Sequence, residues 1–414
     1  MARELSVWWD ETVVGTLRID RYGELSFTYA PEWLEDPSRP TLSMSLPKRR
    51  EPFKRRACRP FFAGLLPEEG QLEAVARALG ISKGNDFGLL EALGGDVAGA
   101  LTLWPAGERP PAPDTAKEAR IVEESELLGI LDTLPRRPLL AGVDGLRLSL
   151  AGAQSKLPVV LVGGKIALPA PGTPTTHILK PPVDRFPATT ENEALVMRLA
   201  AALQLGVAPV EARTVARRSY LLVTRYDRRY EAGRVRRLHQ EDFCQALGIP
   251  PERKYAREGG PTFKKSFDLL RRATTRPAIE VLKLLDAAIF NVIVGNCDAH
   301  GKNFSVLYDG SHVSLAPLYD LVSTIAYADL SPRFAMKIAT SATLEEISRE
   351  TWSRFAEDAG LGAPYVHRRV RELAEAAKNA VSRVAEQTTE EGLDPTALAQ
   401  YAAVIASRAG RLAT

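Results

Sequence analysis

The chain has 414 residues, 45% hydrophobic and 25% charged, an ordinary globular composition with room for two or three domains. A net charge of only +3 excludes a global attraction to nucleic acid or anionic membrane. Cys58, Cys244 and Cys297 form no metal-ligand pattern, no apolar run has the length of a membrane span and the N-terminus lacks a signal core, so a reduced, cytoplasmic protein with no membrane contact is expected.

Residues 5–29 alternate apolar and polar positions, with turns at Asp10-Glu11 and Tyr22-Gly23, which predicts a small β-meander. PTLSMSLP at 40–47 follows, then the basic patch Lys48-Arg49-Arg50 and Lys54-Arg55-Arg56, expected as solvated loop. A helix is expected over 68–79, stopped by Gly80, and residues 86–105 read as helix, glycine turn and strand. Residues 107–119 carry Pro110, Pro111 and Pro113 and are too polar and stiff to pack a core, so the main boundary falls there.

A short helix is expected over 123–134. Residues 146–169 read as strand, glycine loop, strand, hairpin at Gly163-Gly164 and strand. A loop whose backbone N–H groups lie between two strands can cover phosphates, with Lys156 as an added cation, although no Walker A pattern is present. Residues 175–182 form a short strand ending at Lys180, which either reaches nucleotide phosphates or snorkels from a strand end. A helix at 191–206 is expected to stop at Gly206, with Glu191 or Glu193 pairing Lys180 or complementing the helix dipole. Residues 219–229 read as a buried strand leading into a connection whose backbone could bind adenine. The nine arginines between Arg213 and Arg237 are expected on the edges of a solvated hairpin, with a nucleic-acid or acidic partner as the alternative. Helices are expected at 239–249 and 277–294, and beyond Asp320 at 343–359, 366–387 and 395–411.

Chemistry concentrates in residues 291–324. An apolar helix breaks at Gly295-Asn296, and Asp298, His300, Lys302 and Asn303 follow at once. Two short strands joined at Asp309-Gly310 then fold back. If Tyr308 pairs with Ser311, Asn303 lies opposite Ala316 and Asp320 emerges at the same end of the ribbon. Asp298, Asn303 and Asp320 could then face one point as hard oxygen ligands suited to Mg²⁺. Asp-x4-Asn followed by a separate Asp is also what kinase chemistry requires: Asp298 receives the substrate hydroxyl proton, and Asn303 and Asp320 hold metal against the nucleotide phosphates. Alone, Asp-x4-Asn is more simply a turn.

Together these motifs resemble the HipA family of toxin serine/threonine kinases over nearly the whole chain. PTLSMSLP, FFAGLLPEEG and LGGDVAGAL are similar to that family's N-terminal domain, and LSLAGAQSKLPV, PTTHILKPP, ENEALVMRLA, RYDR, HQEDFCQALG, GNCDAHGKNFS and LAPLYDLVS to its kinase domain, in the same order. The Asp-x-His-x-x-Asn form is also similar to phosphatidylinositol kinases. The resemblance implies an α+β, two-lobed protein-kinase-like fold, β-rich in its N-terminal half and helical in its C-terminal lobe. The domains would be an N-terminal domain at 1–106, a linker at 107–120, an N-lobe at 121–226 and a C-lobe at 227–414.

It also implies roles. Ala151, Gly152, Ala153, Gln154, Ser155 and Lys156 would be the phosphate loop and Lys180 the phosphate lysine. Thr224, Arg225 and Tyr226 would be the adenine-contacting connection, through backbone at Thr224, where relatives carry an acidic residue. Asp298 would be the catalytic base, His300 and Lys302 would lie at the phosphates, Tyr319 and Asp320 would border the nucleotide, and Asn303 and Asp320 would be metal ligands. Ser149 falls at an inhibitory autophosphorylation site, where a phosphate would add about −1.5 to −2 charge beside the loop. The cofactors implied are ATP and Mg²⁺. The partners are a small helix-turn-helix antitoxin similar to HipB, operator DNA reached mainly through it, and an aminoacyl-tRNA synthetase, such as glutamyl-tRNA synthetase, as substrate. A small-molecule or lipid kinase, and a non-catalytic corepressor bound to an antitoxin, are the rival readings.

Overall fold

The computed structural model describes residues 2–111, 119–143 and 146–413, so half of the expected linker, 112–118, lies outside the described residues. The chain forms two compact units: residues 1–181, 225–252 and 307–309, and residues 182–224, 253–306 and 310–414. None of the described helices is long and apolar enough to cross a membrane.

In the first unit the N-terminal meander forms as its alternation dictates. Strands Arg3–Trp9, Thr12–Ile19 and Leu25–Tyr29 pair antiparallel, and Leu101–Pro105 returns to pair with the first. Leu5, Val7, Leu17 and Phe27 bury one face against Phe61 and Phe62 of helix Arg55–Ala63. Burying such side chains contributes roughly 1.5–3 kcal/mol each. Helix Glu69–Leu79 ends at Gly80 in the left-handed conformation, as expected. A second sheet pairs Leu157–Val162 with Lys165–Leu168, through left-handed Gly163 and Gly164, and with His177–Lys180. The strand expected before the glycine loop is only an isolated bridge, Asp96 to Leu148, because the backbone there turns to follow Asp96.

In the second unit, helix Pro277–Val294 is buried on all sides from Ala287 onward, in keeping with a run that is apolar except for the hydrogen-bonded Asn291. Helices Phe263–Ala273, Arg349–Asp358, Ala363–Thr389 and Pro395–Ala413 accompany it. Three local expectations need correction. Helix Thr189–Ala202 stops before Gly206, because Gln204 takes the left-handed conformation and the Leu205 N–H closes onto the Ala200 carbonyl. In the first unit, residues 239–249 are a strand, His239–Asp242, then a one-turn helix, Phe243–Ala246, started by an Asp242/Gln245 capping box. Beyond Asp320 the chain is not wholly helical: Arg333–Ile338 and Ser341–Thr343 form a hairpin.

Candidate active site

The loop after the central helix is built from the helix outward. Gly295 caps the helix at φ 70°, and a Cβ there would lie 2.5 Å from Ile325, so both conformation and space require glycine. A buried amide relay then aims the chain: Asn291 Nδ2 donates to the Ala287 carbonyl, Asn296 Nδ2 to Asn291 Oδ1, and the Asp298 N–H to Asn296 Oδ1 at 3.1 Å. Asn291 and Asn296 were not singled out from the sequence, although an asparagine pair flanking a helix-ending glycine is the signal that could have found them.

Asp298 is exposed, whereas His300 and Lys302 are buried. His300 starts a 3₁₀ turn, Gly301–Asn303; its Nδ1 accepts the Lys302 N–H at 3.3 Å, and Asn303 Oδ1 accepts the His300 N–H at 3.2 Å. That bond orients the Asn303 carboxamide and leaves its oxygen a second lone pair. Asn303 therefore ends a turn rather than facing Ala316 in the ribbon; the Ala316 N–H donates to Ser305 instead.

The segment bearing Asp320 is laced to this loop on both sides. Before it, the Tyr319 hydroxyl donates to the Lys302 carbonyl at 2.7 Å and meets Ser305 Oγ at 2.7 Å. After it, Thr324 Oγ1 accepts the Cys297 N–H at 2.8 Å, and the N–H groups of Thr324 and Ile325 both reach the Gly295 carbonyl. Asn192, on helix Thr189–Ala202, grips the backbone of Ser323 through both amide atoms. Between these ties Asp320 sits at φ 53°, a strained conformation that aspartate tolerates better than most residues and that surrounding contacts must enforce. Among the described residues no group of three or more His, Cys, Asp and Glu could hold a metal ion. One amide and one carboxylate oxygen, Asn303 and Asp320, nevertheless fit Mg²⁺, which commonly takes one or two carboxylates and fills its shell with water and phosphate.

In the first unit the glycine loop folds around its own lysine. Lys156 Nζ donates to the Ala151 carbonyl at 2.7 Å, and a Cβ on Gly152, at φ 117°, would fall 2.4 Å from that nitrogen. The Gly152 carbonyl accepts the Glu68 N–H, Gln154 Nε2 donates to Pro181, and Ser155 Oγ donates to Gln71; Ala153 is exposed. Lys180 is buried at the end of its strand. Ser149 is fully buried, its hydroxyl on the Leu65 carbonyl at 2.7 Å.

The expected adenine connection divides. Thr224 ends strand Arg218–Thr224 with its N–H on Pro209, and the Tyr226 hydroxyl meets Gln240. The Arg225 side chain is committed to the protein interior: it bonds Asp227, Thr175 and the Val97 carbonyl and pairs Asp96 at 3.3 Å. Arg228 adds a 2.8 Å bond to Asp96, and Arg237 lies 3.3 Å from the same carboxylate. Burial pushes the Asp96 carboxyl up, but the Arg228 and Arg225 guanidiniums outweigh it and hold the group well below the usual range. The expectation that the arginines of 213–237 lie on a solvated hairpin is thus corrected for Arg225, Arg228 and Arg237, whose charge is compensated from a residue remote in sequence.

Two family models match the chain: the HipA N-terminal domain over residues 5–104 and the HipA-like C-terminal domain over residues 148–383. It is 58% identical over 412 residues, 98% of both chains, to Y4mE of Sinorhizobium fredii, provisionally named a kinase. It is 34% identical over 317 residues, 73% of this chain and 71% of the other, to the Shewanella oneidensis serine/threonine-protein kinase toxin HipA. Among solved structures it is similar to the Shewanella oneidensis toxin–antitoxin complex of HipA, HipB and operator DNA, with a TM-score of 0.85, 29% identity and coverage of 98% and 97%.

Proposed function

The chain belongs to the HipA family, and from that premise we propose that it is an ATP- and Mg²⁺-dependent serine/threonine-protein kinase acting as the toxin of a toxin–antitoxin pair. The observation that carries this reading is the lacing of the Asp320 segment to the Asp298–Asn303 loop through Tyr319 and Thr324. Preorganised oxygen donors are what phosphoryl transfer asks of a protein, since positioning and charge stabilisation supply most of its catalysis.

Asp298, exposed at the loop, takes the proton of the attacking hydroxyl. Asn303 and Asp320 hold the metal, which when bound supplies charge neutralisation at the nucleotide phosphates. Lys180 and the 151–156 loop bind those phosphates, with His300 and Lys302 beside them, and the backbone of 224–226 takes the adenine. The substrate is a protein, an aminoacyl-tRNA synthetase such as glutamyl-tRNA synthetase. The partners are a small helix-turn-helix antitoxin and, mainly through it, operator DNA, in keeping with the composition of the Shewanella complex. Ser149 is the autophosphorylation site; its burial means that residues 146–156 must leave their seat before the hydroxyl can react.

Incubation with radiolabelled ATP and Mg²⁺ tests the reading. Label should enter the protein itself and a synthetase but not lipids or aminoglycosides, and Asp298→Ala or Asp320→Ala should abolish transfer. Full transfer by either variant overturns the assignment.

A further inference from the structure

The first unit contains a cavity of about 840 Å³, within the usual range for small-molecule sites. Trp104, Arg147, Leu148, Pro171, Arg234 and Arg236 are among its walls. Arg147 is the group that calls for a ligand. It is half-buried, lies 3.9 Å over the Trp104 ring and donates only to the carbonyls of Glu91 and Leu103; among the described residues no carboxylate stands within ion-pair distance. Burial pushes its guanidinium down to about 10, opposed by the charge of Glu108. The geometry, not the titration, sets it apart from the nearby Arg225 and Arg228, each of which is in ion-pair contact with Asp96 and Asp227.

The lining also limits the charge of the guest. Asp10, Glu11, Asp96 and Glu231 stand in the lining beside Arg109, Arg147, Arg234, Arg236 and Arg237, with Glu231 paired to Arg236 and Asp96 to Arg237. The five cations therefore exceed the four anions by one charge, which a monocarboxylate balances and a dianion such as a phosphate monoester overshoots. The Trp104 ring and the 169–174 segment, which carries three prolines, offer flat apolar surface. We infer that this cavity binds a small organic monocarboxylate with a flat apolar body, its carboxylate on Arg147 and its body against Trp104 and the proline wall.

Binding there bears on the chain leading to Ser149. The Asp96 N–H donates to the Arg147 carbonyl at 2.9 Å and the Ser149 N–H to the Asp96 carbonyl at 3.0 Å. A guest on Arg147 therefore steadies residues 146–149 in place. The binding itself does not depend on the kinase reading.

Calorimetric titration of the full chain with 2-naphthoate and with its neutral isostere 2-naphthamide tests the site. The carboxylate should bind at least about tenfold more tightly, as expected of a charge-assisted pair. Arg147→Gln should bring it to the amide's affinity, leave the amide unaffected, and remove the slowing of hydrogen exchange at 146–149 that naphthoate produces in the wild type. If Arg147→Gln does not fold, Arg234→Glu on the exposed rim should weaken naphthoate about threefold. Equal affinities for acid and amide, an affinity indifferent to these substitutions, or displacement of naphthoate by ATP and Mg²⁺ would overturn the inference.

Discussion

The hydroxyl of Tyr319 donates to the carbonyl of Lys302 across 2.7 Å, joining the residue before Asp320 to the residue before Asn303. Because both proposed metal ligands sit one position beyond this bond, it bears directly on their spacing. Tyr319→Phe keeps the ring and removes the tie, leaving the buried Lys302 carbonyl without it at a cost of about 1–3 kcal/mol. Phosphotransfer kcat should fall about tenfold or more while the protein stays folded. Wild-type kcat in Tyr319→Phe, measured with a saturating protein substrate, would show that the brace is irrelevant to chemistry.

The strained backbone at Asp320 separates stability from activity. Glycine is at ease at φ 53°, so Asp320→Gly should raise unfolding free energy by up to about 1 kcal/mol while abolishing phosphotransfer. Asp320→Asn, which also tolerates this conformation, should leave stability nearly unchanged and activity lost. Denaturant melts decide the point, and a destabilised glycine variant would mean that the Asp320 side chain contributes more to the fold than its conformation costs.

Asp96 compensates buried guanidiniums of Arg225 and Arg228. Removing one partner of a buried pair commonly costs about 3–5 kcal/mol. Asp96→Ala should lower unfolding free energy by that order, and a loss below about 1 kcal/mol in chemical denaturation would contradict the role assigned to the network.

Glu241 and His239 make stability depend on pH in opposite senses. Burial raises Glu241 from 4.5 to about 7, despite hydrogen bonds from Ser43, Tyr308 and the Met44 N–H. The folded state therefore keeps a proton that the unfolded chain gives up, so this contribution is complete below pH 4.5 and is lost by about pH 7. At about 1.4 kcal/mol per pH unit the loss is roughly 3 kcal/mol. Burial also lowers His239 from 6.5 to about 4, so its contribution grows as pH rises through 4 to 6.5 and masks the first. Glu241→Gln removes only the carboxyl, and its stability relative to wild type should climb by roughly 3 kcal/mol between pH 4.5 and 7. Parallel profiles of the two proteins would disprove the linkage.

Much of the 295–303 loop and its surroundings was legible because the signals are local. Gly295 ends the central helix at the expected residue, the ribbon turns at Gly310-Ser311, one residue later than expected, and Gly163-Gly164 takes the two left-handed positions that its hairpin needs. Periodicity likewise located the N-terminal meander and the C-terminal helices, since burial of one face repeats every two or 3.6 residues. The misreadings share a cause. Arg225 and Arg228 looked like solvated charge because Asp96, which compensates them, lies about 130 positions away. The tie from the Tyr319 hydroxyl to Lys302 was unreadable for the same reason, since nothing in the linear order announces that it reaches back.

Turns, caps and amphipathic faces were therefore fixed by the residues themselves, because each depends on φ preferences and apolar spacing within a few positions. Which charges lie inside and which carbonyl braces the segment of Asp320 were decided only when distant segments packed together. A buried charge or donor is energetically tolerable only with a partner supplied by the fold.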